Sequence, residues 1–275
     1  MSHNEKILSA MFDAETFRST GHELIDLLAE ELSRSLSAER PVLNWRKPAT
    51  EDLRWQMPLP QQSTLDLAGL LDKLKLDILP GNLAIHHPHN LGHQVATPLP
   101  IAALCDLVAA LTNQAMAVYE TGPSATMLER QVIRWLSTLI GWQGKEVNGV
   151  LTSGGAQANL TALLAARQHA QSNTWKRGVA AQQPMRILAS EHSHYSVSRA
   201  AGIMGLGTDA VIKIATDDAG RMLMNEIISA HQHCLQHQEI VMAIVANAAC
   251  TPTGSVDPLQ EIGELCQRHN IWFHV

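Results

Sequence analysis

The chain has 275 residues, which is enough for one large domain or two smaller ones. Apolar residues make up 45% of it and charged residues 17%, a balance that is typical of folded globular proteins and excludes a disordered chain. The net charge is −6, and the sequence has no run of basic residues of the kind that binds the phosphates of nucleic acid. Both features argue against nucleic acid as a partner.

The amino end, MSHNEKILSA, has no basic segment followed by an apolar core, so it does not look like a signal peptide. No apolar run approaches the roughly 20 residues that cross a bilayer. The four cysteines form no C-x-x-C pair, and we expect them to be free, mostly buried thiols. These features predict a cytoplasmic protein with no membrane partner.

Residues 1–83 are predicted to form a helical amino-terminal segment with an arm. Apolar residues recur on one face of residues 14–36, which indicates an amphipathic helix. Prolines and two tryptophans mark residues 41–62, where we expect an extended connection. Residues 63–82 are predicted to form another helix, with Ser63 as its N-cap and a proline-glycine pair at its end.

Residues 84–275 are predicted to form a large domain of the α/β class. Two helices are expected first, at 100–116 and at 124–141, the second capped by its first residue, Ser124. From there, β-rich runs at 148–153, 185–190, 210–215, 240–247 and 271–275 alternate with helical patterns. This alternation predicts a mostly parallel sheet with helices on both faces.

Ligands of open α/β sheets bind beyond the carboxyl ends of the strands, and Gly154 and Gly155 are predicted to lie there. Adjacent glycines let a ligand approach the backbone, and the start of the next helix offers free N–H groups and a positive dipole, which suit phosphate. A plain tight turn is the alternative. The pattern is neither G-x-G-x-x-G nor G-x-x-x-x-G-K-[ST], so a dinucleotide or a nucleoside triphosphate is disfavoured.

Two further polar segments follow strands of the same sheet. His194 and Tyr195 come after the second strand, where an imidazole can stack on a flat ring or move a proton. The alternative there is a capped helix start with Ser193 as the cap. Small residues at 245–250 leave room for a ligand beside the hydroxyl of Thr251, and an ordinary turn is the alternative.

The glycine turn, the histidine segment and the threonine turn follow one another along the chain. Together they resemble the group II pyridoxal-phosphate (PLP) amino-acid decarboxylases. This family includes glutamate, cysteine-sulfinate, aromatic amino-acid and 2,4-diaminobutyrate decarboxylases. The segments that carry the resemblance cover nearly the whole chain: HPHNLGHQ, NQAMAVYETGPSATMLERQVIRWL, TSGGAQANLTALLAAR, EHSHYSVSRAAGIMGLG, DDAGRM and TPTGSVDP. The resemblance implies a fold-type-I PLP-dependent transferase-like large domain behind the helical amino-terminal segment.

The resemblance also implies roles for individual residues. Gly154, Gly155 and Ala156 would begin the helix whose backbone N–H groups hold the cofactor phosphate. Many relatives have a hydroxyl residue in place of Ala156, so one side-chain hydrogen bond is missing here or supplied from elsewhere. His194 corresponds to the catalytic histidine whose ring stacks on the pyridine ring, and Thr251 to a threonine close to the cofactor.

Other implied roles concern the substrate and a partner subunit. Gly92 and His93 correspond to a segment that lines the substrate entrance. Tyr119 corresponds to a region that approaches the partner's site in dimers of the family. The resemblance therefore implies a small amino-acid substrate and a homodimer.

The chain stops at Val275, ahead of two residues that the family requires. By the resemblance, the next residue would be the aspartate that pairs with the pyridine nitrogen, and the Schiff-base lysine would follow some tens of residues later. No lysine of this chain lies in the matching motif. We interpret the chain as the amino-terminal portion of a longer enzyme, with its sheet truncated at the carboxyl end and no decarboxylase activity by itself.

The leading functional hypothesis is decarboxylation of an L-amino acid to an amine and CO2 by the full-length protein, in amino-acid metabolism. The cofactor would be pyridoxal 5′-phosphate, which supplies the electron sink while the protein supplies orientation. We favour 2,4-diaminobutyrate or a glutamate-like polar substrate. The alternatives are another fold-type-I PLP enzyme (an aminotransferase or lyase) and a catalytically inactive truncated relative.

A metal site in HHPHNLGH is disfavoured, because its spacings match no H-E-x-x-H pair, and no metal is expected.

Overall fold

The computed structural model describes residues 3–61, 66–92, 95–142, 144, 147–180 and 182–275. The chain divides into two compact units, Met1–Asn113 and Gln114–Val275. The boundary predicted at residue 83 lies within the first unit and stays a prediction.

The first unit is helical. Its α-helices are α1 (His3–Met11), α2 (Ala14–Leu36), α3 (Pro48–Trp55), α4 (Leu67–Lys73) and α5 (Pro100–Thr112). The predicted bounds of α2 are confirmed, and the carboxylate of Asp13 caps it by accepting the backbone N–H of Thr16 at 2.7 Å. This cap satisfies one of the N–H groups that a helix start leaves without an acceptor.

The prediction of an extended connection over residues 41–62 is wrong in part, because α3 forms within it. Its proline, Pro48, occupies the first turn, where a missing backbone N–H costs nothing. The carboxylate of Glu51 then accepts hydrogen bonds from the side chains of Arg54 at 2.7 Å and Trp55 at 2.9 Å. These contacts one turn apart stabilise a helix that proline content alone argues against.

The helix predicted over residues 63–82 begins later and changes type. Asp66, not Ser63, caps α4, since its carboxylate accepts the backbone N–H of Gly69 at 2.8 Å. Ser63 itself lies outside the described residues. After α4 the chain continues as a π-helical turn, Leu74–Ile78, and a 3₁₀ turn, Leu79–Gly81.

The second unit alternates helices and strands. Its elements are a 3₁₀ turn (Tyr119–Thr121), α6 (Pro123–Leu139), α7 (Gly155–Ala170), α8 (Thr174–Arg177), β1 (Met185–Ser190), α9 (Ser196–Ile203), a 3₁₀ turn (Thr208–Ala210), β2 (Val211–Ile214), α10 (Met224–Gln236), β3 (Ile240–Val245), α11 (Leu259–His269) and β4 (Trp272–His274). Ser124 does not cap α6, which begins one residue earlier with Pro123 behind Gly122.

The strands of the second unit form a parallel sheet, as predicted. Within the described residues its order is β2-β1-β3-β4, and each neighbouring pair is parallel. Buried residues of α7 and α9 pack against one face, together with Ile187 and Ala189 of β1. Buried residues of α10 and α11 pack against the other face, together with Leu188. The α/β class with helices on both faces is confirmed.

The predicted first strand, residues 148–153, does not form in the described part of the chain. A strand exists only when a neighbour accepts and donates its backbone hydrogen bonds. Here the N–H of Leu151 donates instead to the carboxylate of Glu129 at 2.8 Å. Val150 and Leu151 are exposed. The apolar composition of this run predicts a strand, but composition does not show whether a pairing strand lies beside it.

The cysteines are free, and three of them are buried: Cys234, Cys250 and Cys266. Cys105 is exposed. Burial raises the pKa of the Cys266 thiol to about 12. No helix among the described residues is long and apolar enough to cross a membrane.

Candidate functional site

Two of the predicted site residues follow neighbouring strands of the sheet. β1 ends at Ser190 and leads to His194, while β3 ends at Val245 and leads to Thr251. β1 and β3 are paired and parallel, so their carboxyl ends meet at one edge. This is the edge at which open α/β sheets bind ligands.

A direct contact joins the two loops that carry these residues. The thiol of Cys250, beside Thr251, donates to the backbone oxygen of His192 at 3.7 Å. A tight turn holds Cys250, because its N–H donates to the oxygen of Ser255 at 2.7 Å and its oxygen accepts the N–H of Gly254 at 2.7 Å. Thr251 is exposed at the start of this turn. The loop of Thr251 therefore packs against the loop that leads to His194.

The glycine pair forms the start of α7. Gly154 is the N-cap residue in an extended conformation, and Gly155 is the first helical residue. A Cβ atom built on either glycine would meet no atom within 4 Å, so the space beside this turn is open. The first turn has no acidic side chain that would repel an anion. With its free backbone N–H groups and dipole, this start suits a phosphate.

Ala156, the second residue of α7, is exposed and offers only a methyl group. Neighbouring hydroxyls are already engaged: Ser153 donates to the side-chain oxygen of Gln157 at 2.7 Å, and Thr152 donates to the oxygen of Gly154 at 3.1 Å. Neither hydroxyl is therefore left to make the hydrogen bond that the methyl group of Ala156 cannot make.

The exposed ring of His194 is held by the start of α9. Its Nδ1 accepts the backbone N–H of Ser196 at 3.3 Å and lies 2.8 Å from the hydroxyl of the same residue. The ring of Tyr195 lies beside it, with 4.2 Å between the two centroids. The guanidinium of Arg199 lies over the ring of Tyr195, 4.6 Å from its centroid. The aromatic neighbour of His194 is thus itself in contact with a cationic side chain.

The alternative with Ser193 as the cap of this helix is wrong. Tyr195 occupies the N-cap of α9, and its side chain makes no capping hydrogen bond. The hydroxyl of Ser193 is buried and has no hydrogen-bond partner in the described part of the chain. A buried hydroxyl without a partner costs free energy.

The other predicted site residues belong to other parts of the chain. Gly92 is exposed and belongs to the first unit, and a Cβ atom there would meet nothing within 4 Å. His93 lies outside the described residues. Tyr119 is half exposed in a 3₁₀ turn of the second unit. Their assignments to the substrate entrance and to the partner's site stay predictions.

The histidines of HHPHNLGH make local contacts. His86 Nε2 lies 3.0 Å from the oxygen of Pro98, and His87 Nδ1 accepts the backbone N–H of His89 at 3.0 Å. No three potential metal ligands lie close together among the described residues.

Sequence reasoning missed two groups beside the site. The amide of Asn159, one turn into α7, bonds both the Ser196 hydroxyl at 2.8 Å and His274 Nε2 at 3.0 Å. Asp257 is 3% exposed and accepts two backbone N–H groups. Asn159 stands four residues after Gly155, and this spacing was the available signal, because it places both on one helix face.

Electrostatic effects at this edge follow from burial and hydrogen bonding. Burial lowers the pKa of His274, which favours its neutral form. Hydrogen bonds from the side chain and then the backbone of Thr216 lower the pKa of Glu191, the residue after β1. The carboxylate of Glu191 therefore bonds Thr216, which lies just beyond the end of β2.

The parallel sheet, the open helix start and the histidine at the adjacent strand exit define an α/β protein of the kind that binds a phosphate-bearing ligand at its strand ends. Residues 51–275 match the pyridoxal-dependent decarboxylase conserved domain. The chain belongs to this family, and the resemblance inferred from its sequence is confirmed.

Individual relatives agree with this assignment. The chain is 28% identical over 207 residues to L-2,4-diaminobutyrate decarboxylase of Acinetobacter baumannii, covering 70% of the chain and 40% of that protein. It is 28% identical over 248 residues to cysteine sulfinic acid decarboxylase of Mus musculus, covering 90% of the chain and 49% of that protein. The crystal structure of mouse CSAD in apo form superposes with a TM-score of 0.87 at 25% identity, over 96% of this chain and 55% of that one. The chain thus spans about half the length of these relatives.

Pyridoxal phosphate is the cofactor of this family, and the residues present fit its phosphate end. The glycine-opened start of α7 leaves space and donors for an anion, with no carboxylate in its first turn. The exposed flat ring of His194 stands at the exit of a neighbouring strand. The residues that would hold the group are therefore Gly154, Gly155 and Ala156 at the phosphate, with His194 and Thr251 at the ring.

Proposed function

We propose that the full-length protein is a PLP-dependent carboxy-lyase that converts an L-amino acid to an amine and CO2. The observation that carries this proposal is the family match over residues 51–275, together with the open start of α7 at the sheet edge that carries His194. When bound, pyridoxal phosphate supplies an electron sink for the bond to the carboxylate carbon. The protein supplies orientation.

The residues of this chain divide that work between two ends of the cofactor. The backbone N–H groups of Gly155 and Ala156 would bind the phosphate at the helix start, where Gly154 leaves the approach open. His194 would stack on the ring and fix its plane, and its exposed edge would hold a proton for the reaction. Thr251 places a hydroxyl near the same ring.

The finer parts of the proposal concern substrate and assembly. We favour a polar amino acid such as 2,4-diaminobutyrate or glutamate, supported by the similarity to the A. baumannii enzyme. The segment with Gly92 and His93 would line the substrate entrance. The protein would act as a cytoplasmic homodimer, in keeping with its free cysteines.

The test is an activity measurement on the full-length protein with added pyridoxal phosphate. Candidate amino acids are supplied one at a time, and CO2 and the amine are measured together. Equal amounts of both from one polar amino acid support the proposal. A keto acid formed without CO2 means an aminotransferase, and no turnover of any amino acid by the cofactor-loaded protein means an inactive relative.

A pair of variants separates the two roles of His194. His194→Phe keeps a flat ring but has no proton to hold, whereas His194→Ala has neither. We expect both to lose CO2 release, and only the alanine variant to weaken cofactor binding markedly. Equal cofactor affinity in both variants would contradict the stacking role.

A further inference from the structure

Four side chains, from α7, α9, β4 and the loop before α9, form an unbroken hydrogen-bonded chain at the sheet edge. His194 Nδ1 lies 2.8 Å from the Ser196 hydroxyl. That hydroxyl accepts the side-chain amide of Asn159 at 2.8 Å. The amide oxygen of Asn159 lies 3.0 Å from His274 Nε2. We call these four residues the edge chain.

A backbone group fixes the direction of every bond in the edge chain. The N–H of Ser196 is only a donor, and it points at His194 Nδ1 at 3.3 Å. Nδ1 must therefore accept, so the Ser196 hydroxyl donates to it as well. The hydroxyl then has to accept from Asn159, whose amide NH2 faces it, and the amide oxygen is left to accept from His274 Nε2–H.

This direction determines where the proton of the neutral His194 ring lies. Because Nδ1 accepts two hydrogen bonds, the ring carries its proton on Nε2. This nitrogen lies on the side of the ring that faces away from the edge chain. Ser196 is 1% exposed, so water does not compete for its hydroxyl. Burial also lowers the pKa of His274, and a neutral His274 ring donates to Asn159 through Nε2.

The edge chain also links the two ends of the candidate site. Asn159 stands one turn after Gly155, about 6 Å along the axis of α7. The same helix therefore begins at the phosphate end and reaches, through Asn159 and Ser196, the histidine at the ring end. A shift of the helix start would be passed on to His194 through these two bonds.

We propose that Ser196, Asn159 and His274 are positioning residues that hold His194 in one orientation and one tautomer, with Nε2–H directed away from the edge chain toward the ligand. The importance of this arrangement for catalysis rests on the proposed function, whereas the His194 tautomer can be measured without it. The proposal is therefore tested first without the cofactor.

The first experiment is ¹⁵N NMR of histidine-labelled, cofactor-free full-length protein, with the His194 signals assigned from His194→Gln. In the spectrum of the neutral ring, we expect the proton on Nε2. In Asn159→Asp the Ser196 hydroxyl should donate to the new carboxylate, so Nδ1 keeps only the backbone N–H of Ser196 and its ¹⁵N signal should shift while the proton stays on Nε2. A proton on Nδ1 in the unaltered protein, or unchanged His194 signals in Asn159→Asp, would overturn the proposal.

The second experiment is a double-mutant cycle in the cofactor-loaded protein. Ser196→Ala and Asn159→Ala should each lower kcat about tenfold while KM stays within about twofold, and the double variant should lose no more than the worse single variant. Ser198→Ala on the same helix is the matched control, expected to leave kcat unchanged. Additive losses would contradict action through one chain.

The two experiments keep two failures apart. If no amino acid is decarboxylated but the ¹⁵N signals behave as expected, the proposed function fails and the edge chain stands. If decarboxylation occurs and the His194 tautomer differs, the edge chain fails and the function stands. Thermal melting of each variant identifies any that do not fold, and Asn159→Asp, which keeps the shape of the side chain, then replaces Asn159→Ala in the cycle.

Discussion

The carboxylate of Asp257 accepts the backbone N–H of Met222 at 2.8 Å, across 35 residues of sequence. Its second oxygen accepts the backbone N–H of Asn247 at 2.7 Å. Asp257 and Met222 are both buried. One side chain thus ties the turn before α10 to the loop that leaves β3 and carries Thr251. The geometry of that candidate site loop depends on this carboxylate.

We expect Asp257→Asn to destabilise the protein by about 1.5–3 kcal/mol, the range for hydrogen bonds to charged groups. Asparagine has one acceptor oxygen, so its NH2 group faces a backbone N–H that then lacks a partner. Urea unfolding monitored by circular dichroism measures the change. Asp218→Asn, at an exposed carboxylate four residues from Met222, is the control and should change the free energy of unfolding by less than about 0.5 kcal/mol. Equal losses in the two variants would show that the buried bonds of Asp257 are not the cause.

Gly220 lies in the same pair of packed turns and has a left-handed φ of +76°. Its oxygen accepts the hydroxyl of Ser255 at 2.8 Å, and a Cβ atom would meet the Thr253 hydroxyl at 3.1 Å. We expect Gly220→Ala to lose about 1–3 kcal/mol of unfolding free energy from backbone strain, with an added loss from crowding.

Gly207→Ala separates the two causes. Gly207 has a similar φ of +83°, but a Cβ atom there would meet nothing within 4 Å. Its loss should therefore reflect backbone strain alone and be smaller. The prediction for Gly220 fails if Gly207→Ala is the more damaging substitution in the same unfolding measurement.

Periodicity and apolar runs predicted many helices and strands of both units, because these elements obey local rules. The run at 185–190 is a strand with those bounds, and residues 14–36 form the predicted helix. The run at 148–153 has the same apolar character, but a strand also needs a pairing partner, which composition does not reveal. For α3, the hydrogen bonds of Glu51 stabilise a helix in a segment whose prolines favour an extended chain.

The candidate site was predictable where its signal is local. A glycine pair before a helical pattern and polar residues at strand exits can be read from short segments. The edge chain could not be read in this way, since Asn159 and His274 are separated by 115 positions and meet only through the register of the fold. The same holds for Asp257, whose partners lie in two other loops.

His231 on α10 should make stability depend on pH. It is buried against the ring edge of His269, with 4.5 Å between the centroids, and neither of its ring nitrogens has a hydrogen-bond partner in the described part of the chain. Burial first, and the charge of His269 second, lower its pKa below the ordinary 6.5. The unfolded chain therefore takes up a proton below about pH 6.5 that the folded protein resists, so stability is fully present above that pH and falls as the solution is acidified through the lowered pKa.

We expect His231→Phe to flatten this dependence, because phenylalanine fills the same space and does not titrate. Unfolding free energies at pH 7.5 and pH 5.5 give the comparison, and the difference between them should be smaller in the variant than in the unaltered protein. His233→Phe on the exposed side of the same helix is the matched control. A flattening of equal size in the control would assign the effect to histidine content rather than to burial of His231.

Ala156 gives a test of the phosphate end of the proposed site. Its methyl group stands in the first turn of α7, and the nearby Ser153 hydroxyl is already bonded to Gln157. Ala156→Ser adds a donor at the helix start, and one charge-assisted hydrogen bond to phosphate should lower the Kd for pyridoxal phosphate about threefold to tenfold in the full-length protein. Ala158→Ser, also exposed and two residues further along the helix, should leave the Kd unchanged. Fluorescence titration with pyridoxal phosphate measures both, and a gain from serine at position 158 that matches or exceeds the gain at position 156 would place the phosphate elsewhere.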